Sequence, residues 1–180
     1  MIRYYVTDRG QGDILAYAAR AVRSGIDMIQ IREKDLPARE LFDLACRTRD
    51  IAAGTGTRIL INDRLDIALA AGIDGVHLPG NGLPPDRVRP LVKVLGISTH
   101  TLQECIQAER ARADFIVFGP IFDTPGKTPV GLEPLREVTS HVKVPVLAIG
   151  GITAANAPEV LGAGAAGIAG IRLFQGEAEG

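Results

Sequence analysis

Tryptophan is absent from this chain, cysteine occurs twice, and aromatic residues make up only 4% of its 180 residues. Cys46 and Cys105 both fall in helix-like stretches without a CxxC spacing, which points to buried small hydrophobes rather than a disulfide framework or metal site. The three histidines, His77, His100 and His141, form no HxH or HExxH pattern and so give no zinc site. An excess of one charge is missing too. Twenty Lys and Arg against twenty-one Asp and Glu leave a formal net charge of −1, no electrostatic case for nucleic acid or an anionic membrane. Anion binding, if present, has to be local. No apolar run approaches the roughly 18 residues of a membrane span. Arg3 leads directly into a strand-like segment and Asp8, with no basic-then-apolar leader, so the cytoplasm is the expected compartment. No Ser/Gly linker or composition break divides the chain, and residues 1–180 are expected to form one domain.

What the chain does contain is a rhythm of short apolar runs and helical patterns. Strands are expected at "RYYVTD" (3–8), "MIQIRE" (28–33), "RILIND" (58–63), "GVHLP" (75–79), "VLGIST" (94–99), "FIVFGP" (115–120), "PVLAIGG" (145–151) and "GIAGIRL" (167–173). Between them lie helical stretches such as "ARELFDLACRTRDIAAG" and "LQECIQAERARA". Eight βα units predict an α/β fold of the TIM (β/α)8 type, whose parallel strands are buried on both faces and read as continuous apolar runs. An open doubly wound sheet is the alternative. The chain stops soon after Phe174, so the final helix is expected to be short or missing and "QGEAEG" frayed.

In a barrel, the loops after the strands build one shared face, and the chemistry-bearing residues cluster at those positions. "IQIREKD" ends in Arg32, Glu33, Lys34 and Asp35; period-two alternation would aim Gln30, Arg32 and Lys34 the same way. A planar guanidinium and a compact ammonium suit phosphate oxygens, although a solvated turn needs the same charges for nothing but water. Asn62 and Asp63 follow the third strand, where such residues cap helices or hold Mg2+ beside substrate phosphates. The loop "FGPIFDTPGKTPVG" (118–131) offers Thr124 and Lys127, and Gly150-Gly151 stand between the seventh strand and a helix, the usual barrel phosphate position. His77 and His100, at strand tips, are either proton-transfer groups or hydrogen-bonded structural residues.

The blocks "YYVTDR", "IQIREKD", "LINDRLDIALAAGIDGVHL", "GISTH", "GPIFDTPGK" and "VPVLAIGGIT" resemble, in order, those of the thiamine phosphate synthase / TenI family over about residues 4–173. That resemblance implies a TIM barrel joining hydroxymethylpyrimidine diphosphate to a thiazole phosphate with release of pyrophosphate. The TenI branch implies a thiazole tautomerase instead, and a non-catalytic binder of the same ligands is a further alternative. By position, the resemblance implies Arg32, Lys34 and Lys127 as catalytic cations. It places Gln30 on the pyrimidine, Asn62 on diphosphate, Asp63 on Mg2+, and Ser98 and Thr124 in the diphosphate and thiazole pockets. The amides of Gly150 and Gly151 would take the thiazole phosphate. Small phosphorylated substrates are the implied partners, and homo-oligomerisation is left open. The chain departs from the synthase pattern at Asn81-Gly82, where a second metal carboxylate is expected, at Gly126, where a hydroxyl is lost, and at Arg172, where a serine is usual. An arginine at 172 either binds phosphate or fills the pocket. The "LPGN" segment looks like the TenI branch, whereas Pro120 stands where the tautomerase base would be, as in synthases.

Overall fold

The computed structural model describes residues 1–175; the tail from Gly176 onward, including most of the segment expected to fray, lies outside the described residues. Eight parallel strands close into a barrel in sequence order. They are β1 (Ile2–Val6), β2 (Met28–Ile31), β3 (Arg58–Asn62), β4 (Gly75–Leu78), β5 (Val94–Thr99), β6 (Phe115–Phe118), β7 (Val146–Ala148) and β8 (Gly167–Gly170). β8 returns to β1 in register, with Ile2 opposite Gly167 and Tyr4 opposite Ala169. Closure rules out the open-sheet alternative.

The alternation along each strand divides the apolar side chains between two cores. Tyr4, Met28, Leu60, Phe115, Val117, Leu147 and Ala169 fill the barrel interior. Tyr5, Ile29, Ile31, Ile59 and Ile61 point outward into the layer between barrel and helices. The helices are α1 (Ile14–Arg23), α2 (Ala38–Ala52), α3 (Leu65–Ala71), α4 (Pro85–Val88), α5 (Leu102–Arg110), α6 (Leu132–His141) and α7 (Ala157–Gly162). On α2 the buried positions Leu41, Ala45, Thr48 and Ala52 recur at three- and four-residue intervals, one stripe against the sheet. Burying a leucine such as Leu41 contributes about 1.5–3 kcal/mol. Starts are fixed by side chains: Asp13 accepts from the amides of Leu15 and Ala16 before α1, and Thr101 with Glu104 forms a capping box on α5.

Most strands end before the apolar runs do. β2 stops at Ile31, β6 at Phe118, β7 at Ala148 and β8 at Gly170. Beyond these points Pro120 has no amide to give the ladder, and Gly150 and Gly151 take positive φ values of 98° and 63°. The strand-like remainders therefore become the loops of the barrel mouth. After β8 the chain makes a 3-10 turn over Arg172–Phe174. Among the described residues, no helix is long and apolar enough to cross a membrane.

Candidate functional site

The charges at the tip of β2 sort into two kinds. Glu33 is only 6% exposed. Its Oε1 accepts from Thr7 Oγ1 at 2.6 Å and its Oε2 from the Arg9 amide at 3.2 Å, tying the tip of β2 to that of β1. Asp35 pairs with Arg9 at the surface, 2.8 Å from Nη1, and this hydrogen bond holds its carboxyl below the usual range. Both acids are thus engaged by structure. Arg32 and Lys34 meet no carboxylate among the described residues and remain exposed at the mouth. The alternation expected to align Gln30, Arg32 and Lys34 does not extend that far, because β2 ends at Ile31 and Lys34 sits in the following turn. Gln30 is buried inside the barrel, whereas Lys34 lines a separate pocket.

That pocket, about 270 Å³, is bordered by Lys34, Asn62, Asp63, Arg64 and Asn81, with Ile31 among its apolar walls. Neither Asn62 nor Asp63 caps α3: the cap position is Arg64, and no side chain bonds the helix start. Asp63 instead adopts a left-handed φ of 61°, its amide donating to the His77 carbonyl at 3.0 Å. Its Oδ1 is buried without a hydrogen-bond partner. An orphaned carboxylate oxygen beside an asparagine fits a hard cation such as Mg2+. Among the described residues no three His, Cys, Asp or Glu side chains gather, so substrate oxygens and waters would complete the shell. A Cβ at Gly82 would come within 2.8 Å of Asp63 Oδ1, which puts the missing second carboxylate's position directly against the first.

Across the mouth, the loop after β6 lies on the tip of β7. Ile121 and Phe122 amides donate to the carbonyls of Ile149 and Gly150 at 2.8 and 3.1 Å. Gly150 is required for this contact, since a Cβ there would stand 2.4 Å from Pro120 Cβ and 3.1 Å from Thr124 Oγ1. Thr124 and Lys127 face each other in a tight turn, the Lys127 amide donating to the Thr124 carbonyl at 3.0 Å. Gly151, with Asn156 and Phe122, borders an open hollow of about 430 Å³. His100 donates from Nδ1 to the Gly119 carbonyl at 2.6 Å, a strut between β5 and this loop. Arg172 is exposed two residues beyond β8, with no ion pair among the described residues.

β4 holds a feature that reading by strand tips misses. His77 is 2% exposed and lies in the interior core, not at the mouth. Its Nε2 is 2.7 Å from Ser98 Oγ and its Nδ1 3.2 Å from the Tyr4 hydroxyl, which in turn receives the Gln30 amide at 2.9 Å. Burial, with Arg32 nearby, pushes its pKa down to about 3, so the imidazole is neutral at pH 7. Burial likewise pushes the Tyr4 phenol well up, against the Gln30 hydrogen bond. The signal in the sequence is the inward parity of Tyr4, Gln30, His77 and Ser98, one polar residue on each of four strands. Cys105 is buried, as expected, with its thiol toward Thr99 Oγ1 at 3.3 Å, whereas Cys46 is only partly buried.

A closed (β/α)8 barrel whose strand tips combine unpaired cations, an orphaned carboxylate oxygen and a glycine-backed loop is built like a barrel enzyme. Comparison with known proteins makes this specific: the chain belongs to the thiamine monophosphate synthase family, whose model matches residues 3–174. The thiamine-phosphate synthase of Methanocella arvoryzae is 44% identical, covering 92% of this chain and 83% of that protein. The thiamine-phosphate synthase of Roseiflexus castenholzii is 40% identical over 93% of this chain and 78% of its own length. Among solved structures, a thiamine phosphate pyrophosphorylase from Pyrococcus furiosus superposes with a TM-score of 0.91 at 34% identity, covering 98% of this chain and 88% of that one.

Proposed function

We propose that this protein is a thiamine phosphate synthase, joining hydroxymethylpyrimidine diphosphate to a thiazole phosphate and releasing pyrophosphate. The observation that carries this reading is the convergence of Lys34, Asn62 and the partnerless Asp63 Oδ1 on one pocket. Relatives that carry the synthase name across most of their length support it. Arg32 and Lys34, free of structural carboxylates, bind the diphosphate oxygens. Asn62 donates to the same group. Asp63 and Asn62 would hold Mg2+, which would supply charge neutralisation for the pyrophosphate leaving group. Thr124, Lys127, Gly150, Gly151 and Arg172 receive the thiazole phosphate from the opposite side, and Gln30 and Ser98 orient the pyrimidine. Negative charge grows on the leaving group as its bond to the pyrimidine methylene breaks. Cations placed there favour the transition state over the ground state. The tautomerase alternative is not favoured, because Pro120 offers no titratable group at the base position. In this reading the chain works as one cytoplasmic domain.

Purified protein supplied with both substrates and Mg2+ should form thiamine phosphate and pyrophosphate one to one, and a chelator should abolish the reaction until Mg2+ is restored. Asp63→Asn should lower kcat/KM by about 10²-fold, the scale of about 3 kcal/mol of lost charge stabilisation. Its melting temperature should hold or rise, because a neutral amide replaces a carboxylate oxygen that has no partner. No thiamine phosphate at high enzyme concentration would reject the assignment.

A further inference from the structure

The four polar side chains inside the barrel make one continuous chain. Gln30 on β2 bonds Tyr4 on β1, Tyr4 bonds His77 on β4, and His77 bonds Ser98 on β5. Phe115 holds the two rings in the middle, 5.1 Å from Tyr4 in an edge-on contact and 6.0 Å from His77. Gly96 leaves room for them, since a Cβ there would fall 2.4 Å from Phe115 Cζ and 2.8 Å from His77 Nδ1. Neither Tyr4 nor His77 can turn toward water. Only the two ends, the far amide atom of Gln30 and the Ser98 hydroxyl, are without a further protein partner among the described residues.

Proton counting then constrains those ends. Tyr4 has one O–H and a neutral imidazole one N–H, so Tyr4 donates one hydrogen bond and accepts the other at the same oxygen, while His77 donates at one nitrogen and accepts at the other. The chain can run in one direction or the reverse. A mixed arrangement sets donor against donor or acceptor against acceptor, or leaves the Tyr4 proton without an acceptor, in a buried site. With the Gln30 amide nitrogen toward Tyr4, as the structure has it, Tyr4 donates to His77 Nδ1 and His77 Nε2 donates to Ser98. Ser98 must then point its own proton outward, and Gln30 must present its carbonyl.

We propose that Tyr4 and His77 are positioning residues that fix opposite hydrogen-bond polarities at Gln30 and Ser98. The ring edge so selected gives an N–H to Gln30 and accepts from Ser98. The chemical class is a nitrogen heterocycle with an exocyclic amino donor and a ring-nitrogen acceptor, and identifying it with the pyrimidine substrate rests on the synthase reading above.

The polarity itself is read without any substrate. In a long-range ¹H–¹⁵N spectrum of the labelled wild-type protein, His77 should show the Nε2–H tautomer. An Nδ1–H tautomer or an imidazolium would overturn the proposal. Selection is tested with Tyr4→Phe, which keeps the ring and removes the link, by comparing the aminopyrimidine diphosphate with an analogue carrying an oxo group in place of the amino group. The variant should raise KM for the amino compound about tenfold or more, with a smaller change in kcat, and narrow its preference over the oxo compound. A uniform loss that leaves the preference intact would mean a merely structural role and would overturn it. Should no turnover be found with either compound, the synthase reading falls, and calorimetric affinities for the same pair decide the selection in its place. A Tyr4→Phe chain that fails to fold leaves the decision to the wild-type tautomer and to the wild-type affinity ratio, which must favour the amino compound.

Discussion

His77 is the residue whose ionisation couples most directly to folding. Its folded pKa of about 3 lies far below the ordinary 6.5, chiefly because burial penalises the charged ring. Below pH 6.5 the unfolded chain takes up a proton that the folded chain refuses. The stability held in full above pH 6.5 therefore drains away as pH falls toward 3, at roughly 1.4 kcal/mol per pH unit. Between pH 6.5 and 5 this group alone should remove about 2 kcal/mol. Urea denaturation at several pH values checks it: wild-type protein should show this slope, and His77→Gln, whatever its absolute stability, should lack it. Placing His77 at a strand tip overlooks one geometric fact. Position 77 precedes the last residue of β4 and faces inward, where the core begins below the mouth.

At the scale of elements, the eight strands are legible in the sequence because a parallel strand buried on both faces is a near-continuous apolar run. The helical stripe of α2 is legible from its spacing for the same kind of reason. The ends are not. The sequence continues "IREKD" as if the alternation of β2 persisted, yet Thr7 and Glu33 bond to each other and the chain turns, sending Lys34 to the pocket of Asp63 rather than to the side of Gln30. Long-range hydrogen bonds of this kind leave no periodic trace. The diglycine after β7 reads in sequence as an amide cradle; its geometry adds a packing demand from the loop after β6. Gly150→Ala should destabilise the protein by about 1–3 kcal/mol, since it combines a φ of 98° with a Cβ 2.4 Å from Pro120 Cβ. Limited proteolysis should then cut the variant faster within 120–131 than elsewhere.

At the scale of the whole molecule, the mouth exists only because the barrel closes. Lys34, Asp63, Ser98, Lys127 and Gly151 come from five different strand-loop junctions, and the ring of strand pairs gathers them around one axis. The seam between β1 and β8 completes that ring, with the Ile2 amide donating to the Ala166 carbonyl at 3.0 Å and Ile2 in register with Gly167. A Cβ at Gly167 would lie 2.0 Å from the Ile2 carbonyl oxygen and 2.7 Å from its carbon, backbone atoms that no rotamer change can move aside. Gly167→Ala should therefore force the seam apart, costing about 3 kcal/mol or more. Gly162, at the last position of α7, has open space where a Cβ would stand, with nothing within 4 Å, and Gly162→Ala should be neutral or gain up to about 1 kcal/mol of helix propensity. Urea denaturation of the pair separates closure from composition, because both changes add one methyl group. If closure carries the site, synthase activity and stability should fall together in Gly167→Ala and neither should fall in Gly162→Ala; equal stability of the two variants would show that the seam does not hold the mouth together.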